Sequence, residues 1–321
     1  MHTIIKRMAA LVLCLWLLTI SAAAKELIPV GQVVGLELQN GKVTVEGFDD
    51  TFGDNAQQAG LSKGDVIRKI NNTTVRCAED VRQALRQSAG TVTVVVERDG
   101  KTQTCRVEPR ITQEGPKLGV YLRQGITGIG TVTWYDPETK KFATLGHGVS
   151  GADGKLLSMT EGNAFKARVA AVKKGKSGAP GQLVGAVTDT EPVGQLSSNT
   201  AQGLFGTTGT PWQGDTMEVA DISEIKTGKA TVLFTVSGNE VREYSVEILK
   251  IYPKSKQSGR NLLIRVTDPV LLETTGGIVQ GMSGSPIIQD GKLVGAVTHV
   301  LVNDPTTGYG IFIENMLDAA A

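Results

Sequence analysis

The chain has 321 residues with a formal net charge of +1, and 40% of the residues are hydrophobic. This composition is typical of a globular protein of about two domains, and the balanced charge excludes an electrostatic preference for nucleic acid or anionic lipid. The 39 glycines and an aromatic content of only 5% favour a β-rich fold with many tight turns.

The N-terminus has the pattern of an export segment. Lys6 and Arg7 precede residues 8–24, which carry no charge and end in three alanines. This stretch is long for the apolar part of a signal peptide and short for a transmembrane helix. In either role it carries the following residues across a membrane, while the positive flank stays on the cytoplasmic side. We therefore assign residues 1–25 to a signal or membrane-anchor segment and expect the rest to be exported.

Residues 26–108 have the pattern of a small α+β domain. A short helix closes on Gly60 and an alternating strand follows at 66–70. A second helix is predicted at 78–88, with its apolar residues on one face, and a hairpin follows at 91–107. This order of elements resembles a PDZ domain.

PDZ domains bind peptides by adding a strand to their sheet, and backbone N–H groups hold the terminal carboxylate. The resemblance places the carboxylate loop at 28–35, where an ordinary connecting loop is the alternative. The peptide could be a partner, the substrate or a segment of a sibling chain. The predicted peptide-binding residues are Ile28, Pro29, Val30, Gly31, Gln32, Val33, Val34 and Gly35.

After a polar linker predicted at 109–117, residues 118–321 show short strands between glycine turns. This pattern predicts an all-β barrel or a pair of barrels. Residues 181–188 match residues 291–298 at seven of eight positions. The match predicts a duplicated β unit with a site between the halves, although a common hairpin sequence is the alternative.

The sequence at 280–286 reads Gln-Gly-Met-Ser-Gly-Ser-Pro. We interpret Ser283 as a nucleophile on a turn, and the N–H groups of Gly281 and Ser283 as donors to an oxyanion. A glycine-rich hairpin loop without catalytic function is the alternative.

A serine nucleophile needs a base, and the chain has only three histidines, at positions 2, 147 and 299. His147 stands between two glycines that leave its ring free to face a cleft, so we predict that it is the base. His299 lies in a predicted strand, where we expect a local partner to satisfy it, and it is the second candidate for the base.

The base in turn needs an acceptor that orients it. Asp268 lies 15 positions before Ser283 at the end of a β-rich run, and it is our first choice. An ordinary Asp-Pro turn that ends a strand is the alternative. The other candidate acceptors are Asp136, Asp189, Asp221 and Asp304.

From about residue 28 to its end, the chain resembles the SpoIVB peptidase family, the stage IV sporulation protein B of spore-forming Firmicutes. The motifs that carry this resemblance are Gly-Ile-Gly-Thr at 128–131, Tyr-Asp-Pro-Glu-Thr at 135–139, Leu-Gly-His-Gly at 145–148, Thr-Asp at 267–268, Thr-Gly-Gly-Ile-Val-Gln-Gly-Met-Ser-Gly-Ser-Pro at 275–286 and Thr-His-Val-Leu-Val-Asn-Asp-Pro-Thr at 298–306. Only the turn at 150–154 is shorter than the acidic turn usual in the family.

The resemblance implies a mainly β fold, in which an N-terminal α+β PDZ domain precedes a double β-barrel, trypsin-like serine peptidase domain at 118–321. It also implies that His147 is the base, Asp268 the orienting acid and Ser283 the nucleophile. Peptidases of this family cleave themselves near the N-terminus and then cleave a membrane-bound regulator of an intramembrane protease, which activates a late mother-cell sigma factor. The expected location is the intermembrane space around the forespore.

Two other functions are compatible with parts of the sequence. A PDZ-containing adaptor of the cell envelope needs no catalytic residues, and the presence of both His147 and Ser283 argues against it. A housekeeping protease of the HtrA type carries its PDZ domain after the peptidase, whereas here the PDZ domain comes first.

The cysteines and histidines do not cluster with carboxylates, so we predict neither a metal site nor a cofactor. Cys77 and Cys105 lie in the part expected to be exported, where a disulfide is permitted. Their spacing does not distinguish a disulfide from two free cysteines.

Overall fold

The structure is a computed structural model that describes residues 25–151, 154–253 and 259–321. The predicted export segment up to residue 24 lies outside the described residues. Within the described ranges, none of the helices is long and apolar enough to cross a membrane.

The described residues are mainly β, as the sequence predicts. The strands are β1 (Glu26–Pro29), β2 (Val33–Phe48), β3 (Val66–Ile70), β4 (Thr73–Thr74), β5 (Val92–Arg98), β6 (Lys101–Val107), β7 (Arg110–Thr112), β8 (Gly115–Lys117), β9 (Val120–Tyr135), β10 (Lys141–Thr144), β11 (Glu161–Lys173), β12 (Gln182–Thr200), β13 (Gly203–Thr207), β14 (Met217–Glu218), β15 (Gly228–Thr235), β16 (Val241–Ile251), β17 (Leu262–Val266), β18 (Pro286–Gln289), β19 (Lys292–Leu301) and β20 (Asp304–Phe312). The helices are α1 (Asp54–Gln58), α2 (Ala78–Arg86), α3 (Pro269–Thr275) and α4 (Ile313–Ala320), and a 3-10 turn lies at Ile222–Glu224.

Two six-stranded rings form the larger part of the fold. In the first barrel, β2 pairs with both β9 and β11, which closes the ring β2–β9–β10–β13–β12–β11. In the second barrel the ring is β15–β16–β17–β20–β19–β18. If the six strands of each barrel are numbered along the chain, neighbouring strands follow each other around both rings in the order one, two, three, six, five, four. The predicted double β-barrel is therefore confirmed.

The two copies of the sequence repeat lie on equivalent strands. The first copy starts β12 and the second starts β19, and each is the fifth strand of its barrel. Leu183 and Leu293, which correspond in the repeat, are both buried. The common topology supports a duplicated unit. His147 and Ser283 each lie in the loop between the third and fourth strands of their barrel, so they occupy equivalent positions in the two halves.

The PDZ unit is inserted into the first barrel. Residues 33–38 of β2 pair with β9 in the barrel, and residues 43–48 pair with an earlier part of β9 in the PDZ unit. Gly125 stands where the two parts of β9 meet, and a Cβ there would lie 2.0 Å from the Leu38 carbonyl oxygen. The pairing continues through β3 and β5 to β6, so one sheet runs through both units.

This insertion corrects two of the predicted boundaries. Residues 26–39, assigned to the PDZ domain 26–108, form β1 and the start of β2 in the first barrel. The predicted linker 109–117 contains the hairpin of β7 and β8, and β8 packs against α2. The PDZ unit therefore begins within β2 and ends within β9.

The predicted peptide-binding loop at 28–35 is wrong for the same reason. Ile28 pairs with Tyr135, and Val33 pairs with Thr131, inside the first barrel. Both Ile28 and Val33 are buried. With its backbone paired and its apolar side chains in the core, this segment has no free edge for a peptide.

The PDZ unit contains a buried ion pair, and Cys77 and Cys105 are both free. Arg98 donates from Nε to Asp65 Oδ1 over 2.6 Å and from Nη2 to Oδ2 over 2.7 Å. The Asp65 side chain is fully buried. We expect Asp65→Ala to lower the free energy of unfolding of the PDZ unit, because it leaves the partly exposed Arg98 guanidinium and the Ser62 N–H without their acceptor. Denaturant unfolding of the whole chain, followed by hydrogen exchange of β3 and β5, measures the loss.

Glu97→Ala is the matched control for Asp65→Ala. Glu97 binds Arg68 on the surface of the same sheet, where solvent screens the pair. Burial acts to raise the pKa of Asp65, but hydrogen bonds from Arg98 and the Ser62 N–H outweigh it and lower the pKa. The stabilisation is therefore present above the ordinary carboxyl pKa and is lost as the pH falls. Equal losses in Asp65→Ala and Glu97→Ala would contradict this account.

Candidate active site

The Ser283 loop is held between the two barrels. Its shape depends on Gly281 and Gly284, whose φ angles are +104° and +96°. Thr131, on β9 of the first barrel, donates from Oγ1 to the Gly281 carbonyl over 2.7 Å and from its N–H to the Ser283 carbonyl over 3.1 Å. On the other side, the Gly284 N–H donates to Val297 O on β19 over 2.8 Å. The serine is therefore fixed at the junction of the barrels.

The half-buried Ser283 side chain points toward β19. Its Oγ donates to the carbonyl oxygen of Thr298 over 2.8 Å. Within the described ranges, the N–H groups of Gly281 and Ser283 donate to no backbone or side-chain acceptor. Donors without an internal partner at a nucleophile are the arrangement that an oxyanion requires. Their role as the oxyanion hole stays a prediction.

His147 reaches the same junction from the first barrel. The chain turns after β10 through Leu145 and Gly146, whose φ angles are +73° and +66°. A Cβ on Gly146 would lie 3.0 Å from the Thr298 side chain, so this turn packs directly on β19. The backbone therefore brings His147 to the strand whose carbonyl accepts the Ser283 hydroxyl.

The hydrogen bonds of His147 define its tautomer. Its Nδ1 lies 3.0 Å from the carbonyl oxygen of Gly148. Because a carbonyl can only accept, Nδ1 carries the proton and Nε2 has the lone pair that a base needs. Burial lowers the pKa of His147, and the Gly148 carbonyl opposes this effect only in part. The imidazole is therefore neutral and able to accept a proton at ordinary pH.

Asn199 supports the segment after His147, a role that the sequence does not predict. Its Oδ1 accepts from the Val149 N–H over 2.9 Å, and its Nδ2 donates to the carbonyls of Val149 and Leu157. A lone asparagine on a strand carries no local signal of this role. It fixes the backbone on both sides of the turn at 150–154, which lies partly outside the described residues.

His299 is the second histidine at the junction. Its ring centroid lies 5.1 Å from that of His147, and the ring planes make an angle of 39°. The Nδ1 atom of His299 is buried and has no partner among the described residues. His299 does lie on a strand, as predicted, but the expectation that a local partner satisfies it is wrong.

Asp268 is engaged by backbone groups in this structure. Its Oδ1 accepts from the Leu271 N–H over 3.0 Å as the N-cap of α3, and its Oδ2 accepts from the Ser245 N–H over 3.4 Å. Both contacts agree with the alternative of an Asp-Pro turn that ends a strand. Among the described contacts, none joins Asp268 to His147, and its role as orienting acid stays a prediction.

The other candidate aspartates are also engaged elsewhere. Asp136 accepts from the N–H groups of Glu138 and Thr139, and Asp189 accepts from the Glu191 N–H. Asp221 caps the 3-10 turn. Asp304 accepts from the hydroxyls of the two threonines that follow it. Each carboxylate is thus held by the backbone or side chains of its own loop.

We expect Asp268→Ala to lower the free energy of unfolding by about 1 kcal/mol through loss of the cap. If Asp268 orients His147, the turnover of peptide substrate should fall as well, and turnover within about threefold of the parent would contradict the orienting role. Thermal unfolding and kcat measure the two effects separately.

Asp268→Asn is the control, because asparagine is an equally good N-cap. It should match the parent in stability. A large loss of kcat in a stable Asp268→Asn variant would place Asp268 in the catalytic group.

A second candidate site lies in the PDZ unit. A groove of about 500 Å³ runs between α2 and the first residues of β9, and Val81, Leu85 and Tyr121 line it. Residues 120–122 of β9 pair with β2 on one side only, which leaves their other edge toward the groove. Just before this edge, the N–H groups of Leu118 and Gly119 have no acceptor within the described ranges.

This groove has the features of a PDZ peptide-binding site, which the sequence predicts at 28–35 instead: a free strand edge, an apolar helix face and N–H groups without a described acceptor. The sequence feature that indicates this loop is Pro-Lys-Leu-Gly-Val at 116–120, in which a glycine directly precedes an alternating strand. It follows α2 in the chain, whereas the carboxylate loop of a PDZ domain is expected before that helix.

A double β-barrel with a histidine and a serine at the junction of the barrels is the arrangement of the serine peptidases, and here a PDZ unit accompanies it. The family model described as SpoIVB peptidase S55 matches residues 114–317, and a PDZ domain model matches residues 53–98. Since the first match covers more than half of the chain, this chain belongs to the SpoIVB peptidase family.

Among solved structures, the chain is similar to the Rv3671c protease in its inactive form, at 15% identity and a TM-score of 0.35, over 60% of this chain and 82% of that chain. An inactive mutant of Rv3671c from M. tuberculosis H37Rv is similar at 15% identity and a TM-score of 0.31, over 60% of this chain and 79% of that one. No curated protein matches the chain.

Proposed function

We propose that this peptidase acts in sporulation signalling. It cleaves itself near its N-terminus and then cleaves a membrane-bound regulator of an intramembrane protease, and this second cut leads to activation of a late mother-cell sigma factor. The site of action is the space between the two membranes around the forespore. Membership of the SpoIVB peptidase family supports this role, and the apolar stretch at 8–24 supports export.

The observation that carries the catalytic part is the environment of Ser283. Its hydroxyl donates to the Thr298 carbonyl of β19, and its own N–H and that of Gly281 have no acceptor among the described residues. The Nδ1 contact of His147 leaves the lone pair on Nε2. Ser283 Oγ attacks the peptide carbonyl as His147 Nε2 takes its proton. The two N–H groups then stabilise the oxyanion, and His147 returns the proton to the leaving amine. Water hydrolyses the acyl-enzyme by the same steps.

The PDZ groove gives the peptidase a second contact with a protein ligand. A peptide strand can add to the free edge of β9, and its terminal carboxylate can accept from the N–H groups of Leu118 and Gly119. Because the PDZ unit is inserted between strands of the first barrel, the groove and the barrel share one continuous sheet. The chain's own segments and the regulator are both candidate ligands.

Self-cleavage is tested by synthesis of the full chain in the presence of lipid vesicles, beside the Ser283→Ala variant. We expect intact mass to show a discrete N-terminal fragment from the parent and none from the variant. Parent added to tagged Ser283→Ala chain then shows whether one molecule cuts another. Two uncut proteins, or the same cut in both, would contradict self-cleavage.

The regulator is tested with membranes of sporulating cells that lack their own copy of the peptidase. After addition of parent or Ser283→Ala protein, new N-termini are labelled and identified by mass spectrometry. The proposal requires a new N-terminus in the exposed part of a membrane protein, with the parent only. New termini confined to soluble proteins would overturn it.

A further inference from the structure

The segment directly before β17 lies against β19 and against the turn that carries His147. The Gly259 carbonyl accepts from Thr298 Oγ1 over 2.7 Å, and the carbonyl of the same threonine accepts the Ser283 hydroxyl. A Cβ on Gly259 would lie 3.4 Å from the carbonyl oxygen of Gly146, the residue before His147. The chain at position 259 is therefore close to the elements that hold both the serine and the histidine.

Arg260 is held at this position by its two neighbours in the chain. The Gly259 carbonyl is bound to β19, and the Asn261 N–H donates to Gly310 O on β20 over 2.8 Å. Asn261 is fully buried, and its Oδ1 accepts from Asn315 Nδ2 over 3.0 Å. The Arg260 side chain, by contrast, is exposed. A fixed backbone thus places an exposed cation beside the junction of the barrels.

A row of rings leads from His147 to Arg260. The His299 ring centroid lies 5.1 Å from that of His147, and Tyr309 is the strand partner of His299. The Arg260 guanidinium lies 5.3 Å from the Tyr309 ring centroid, which is within the range of a cation–π contact. Burial, His147 and Arg260 lower the pKa of His299 to about 4. Since His299 is therefore neutral at ordinary pH, the positive charge of this row is that of Arg260.

The Arg260 guanidinium has no carboxylate partner within the described ranges, where its contact is the ring of Tyr309. Arg98 and Arg242, by contrast, each bind a carboxylate. A contact with the face of a ring leaves the N–H groups at the edge of a guanidinium free to donate. The group that accepts two such hydrogen bonds side by side is a carboxylate.

We propose that Arg260 is a specificity residue of this peptidase and that it binds an acidic side chain of the substrate near the scissile bond. The substrate carboxylate accepts two hydrogen bonds from the guanidinium, which Tyr309 holds in place. An extended peptide advances about 3.3 Å per residue, so the acidic residue lies roughly two to four positions from the bond that Ser283 attacks. This inference rests on the peptidase activity in the proposed function and not on its place in sporulation.

The test is the cleavage of a peptide library made from bacterial proteins with chymotrypsin, which leaves acidic and basic residues inside the peptides. Mass spectrometry identifies the new ends. We expect the parent to prefer Asp or Glu at one position near the cut. For the best acidic peptide, Arg260→Ala should lower kcat/KM by about 10- to 100-fold through loss of charge-assisted hydrogen bonds. Arg260→Glu should prefer Lys or Arg at the same position, because its charge is reversed.

Fluorophosphonate labelling of Ser283 separates the binding of substrate from catalysis, because the probe contains no peptide. The labelling rate of both Arg260 variants should stay within about twofold of the parent. Arg265→Glu is the matched control, since this exposed arginine of β17 lies opposite Thr307 rather than Tyr309. It should keep the acidic preference of the parent.

Cleavage of the library without an acidic preference, or with the same preference in the parent and in Arg260→Glu, would overturn this inference and leave the peptidase activity established. No cleavage of the library by the parent would overturn it as well. The labelling rate of the parent then shows whether the nucleophile itself is inactive, which would count against the proposed function too.

Discussion

Replacement of Ser283 by alanine is expected to lower peptide hydrolysis by at least about 10⁴-fold. The variant loses the only oxygen that can form the acyl-enzyme, while the loop keeps its backbone bonds to Thr131 and Val297. His147→Ala should cost about as much, and the double variant should lose no more than either single variant, because the two residues act as one unit. Steady-state hydrolysis of a peptide that contains the self-cleavage site measures all three.

Ser285→Ala is the matched control on the same turn. The Ser285 hydroxyl is buried two residues away and has no partner among the described residues. Its removal discards an unpaired polar group, so hydrolysis should be unchanged and stability equal or slightly higher. Comparable losses in Ser283→Ala and Ser285→Ala would show that the loop needs its packing rather than a nucleophile.

Gly284→Ala is expected to remove activity nearly as completely, although it touches no reacting atom. A Cβ on Gly284 would lie 2.1 Å from the Thr131 carbonyl oxygen and 2.5 Å from the Leu145 N–H nitrogen, and its φ is +96°. These contacts are backbone atoms of the first barrel, which cannot move aside as a flexible side chain can. The loop must therefore move away from β9, and Ser283 moves with it. Probe labelling and thermal unfolding measure the effect.

Gly291→Ala separates this clash from the cost of the backbone angle. Gly291 has a φ of +76° in the turn between β18 and β19, and a Cβ there meets nothing within 4 Å. It should lose about 1 kcal/mol of stability and keep its labelling rate. If Gly284→Ala also labelled at the parent rate, the close junction of the barrels at this loop would be contradicted.

The shape of the Ser283 loop could be predicted because it depends on local chemistry. A serine between glycines at 281 and 284 specifies an exposed turn within a few residues, and the left-handed angles of both glycines agree with it. The scarcity of histidines then restricted the base to two residues. The double barrel was predictable because its halves repeat a strand sequence, which the structure places at equivalent positions.

Whether Asp268 orients the base depends on which strands lie side by side, so the sequence alone does not decide it. Asp268 and His147 follow equivalent third strands in the two barrels, but the loop after β17 continues into α3 and uses the aspartate as its cap. An Asp-Pro pair that caps a helix and one that orients a base look alike in sequence. The contact of His299 with His147 could not be predicted, because alternation along a strand does not say which ring a side chain meets across a junction.

The PDZ boundaries were missed because two long strands each serve two units. β2 and β9 pair along nearly their whole length, first in the barrel and then in the PDZ unit. The polar residues 39–42 of β2 and Gly125 of β9 lie at the point where the strands pass from one unit to the other, but in sequence such residues are equally typical of an ordinary turn. The first strand of the barrel thus precedes an inserted domain, and no local pattern relates it to the strands that follow.

The central claim is that Ser283 is a nucleophile activated by His147, and the most direct test is to label the full chain with a fluorophosphonate and map the modified peptide. The account predicts one modified residue, Ser283, in the parent and in Asp268→Asn, with labelling slowed by orders of magnitude in His147→Ala. Modification of a different serine, or an unchanged rate without His147, would contradict it.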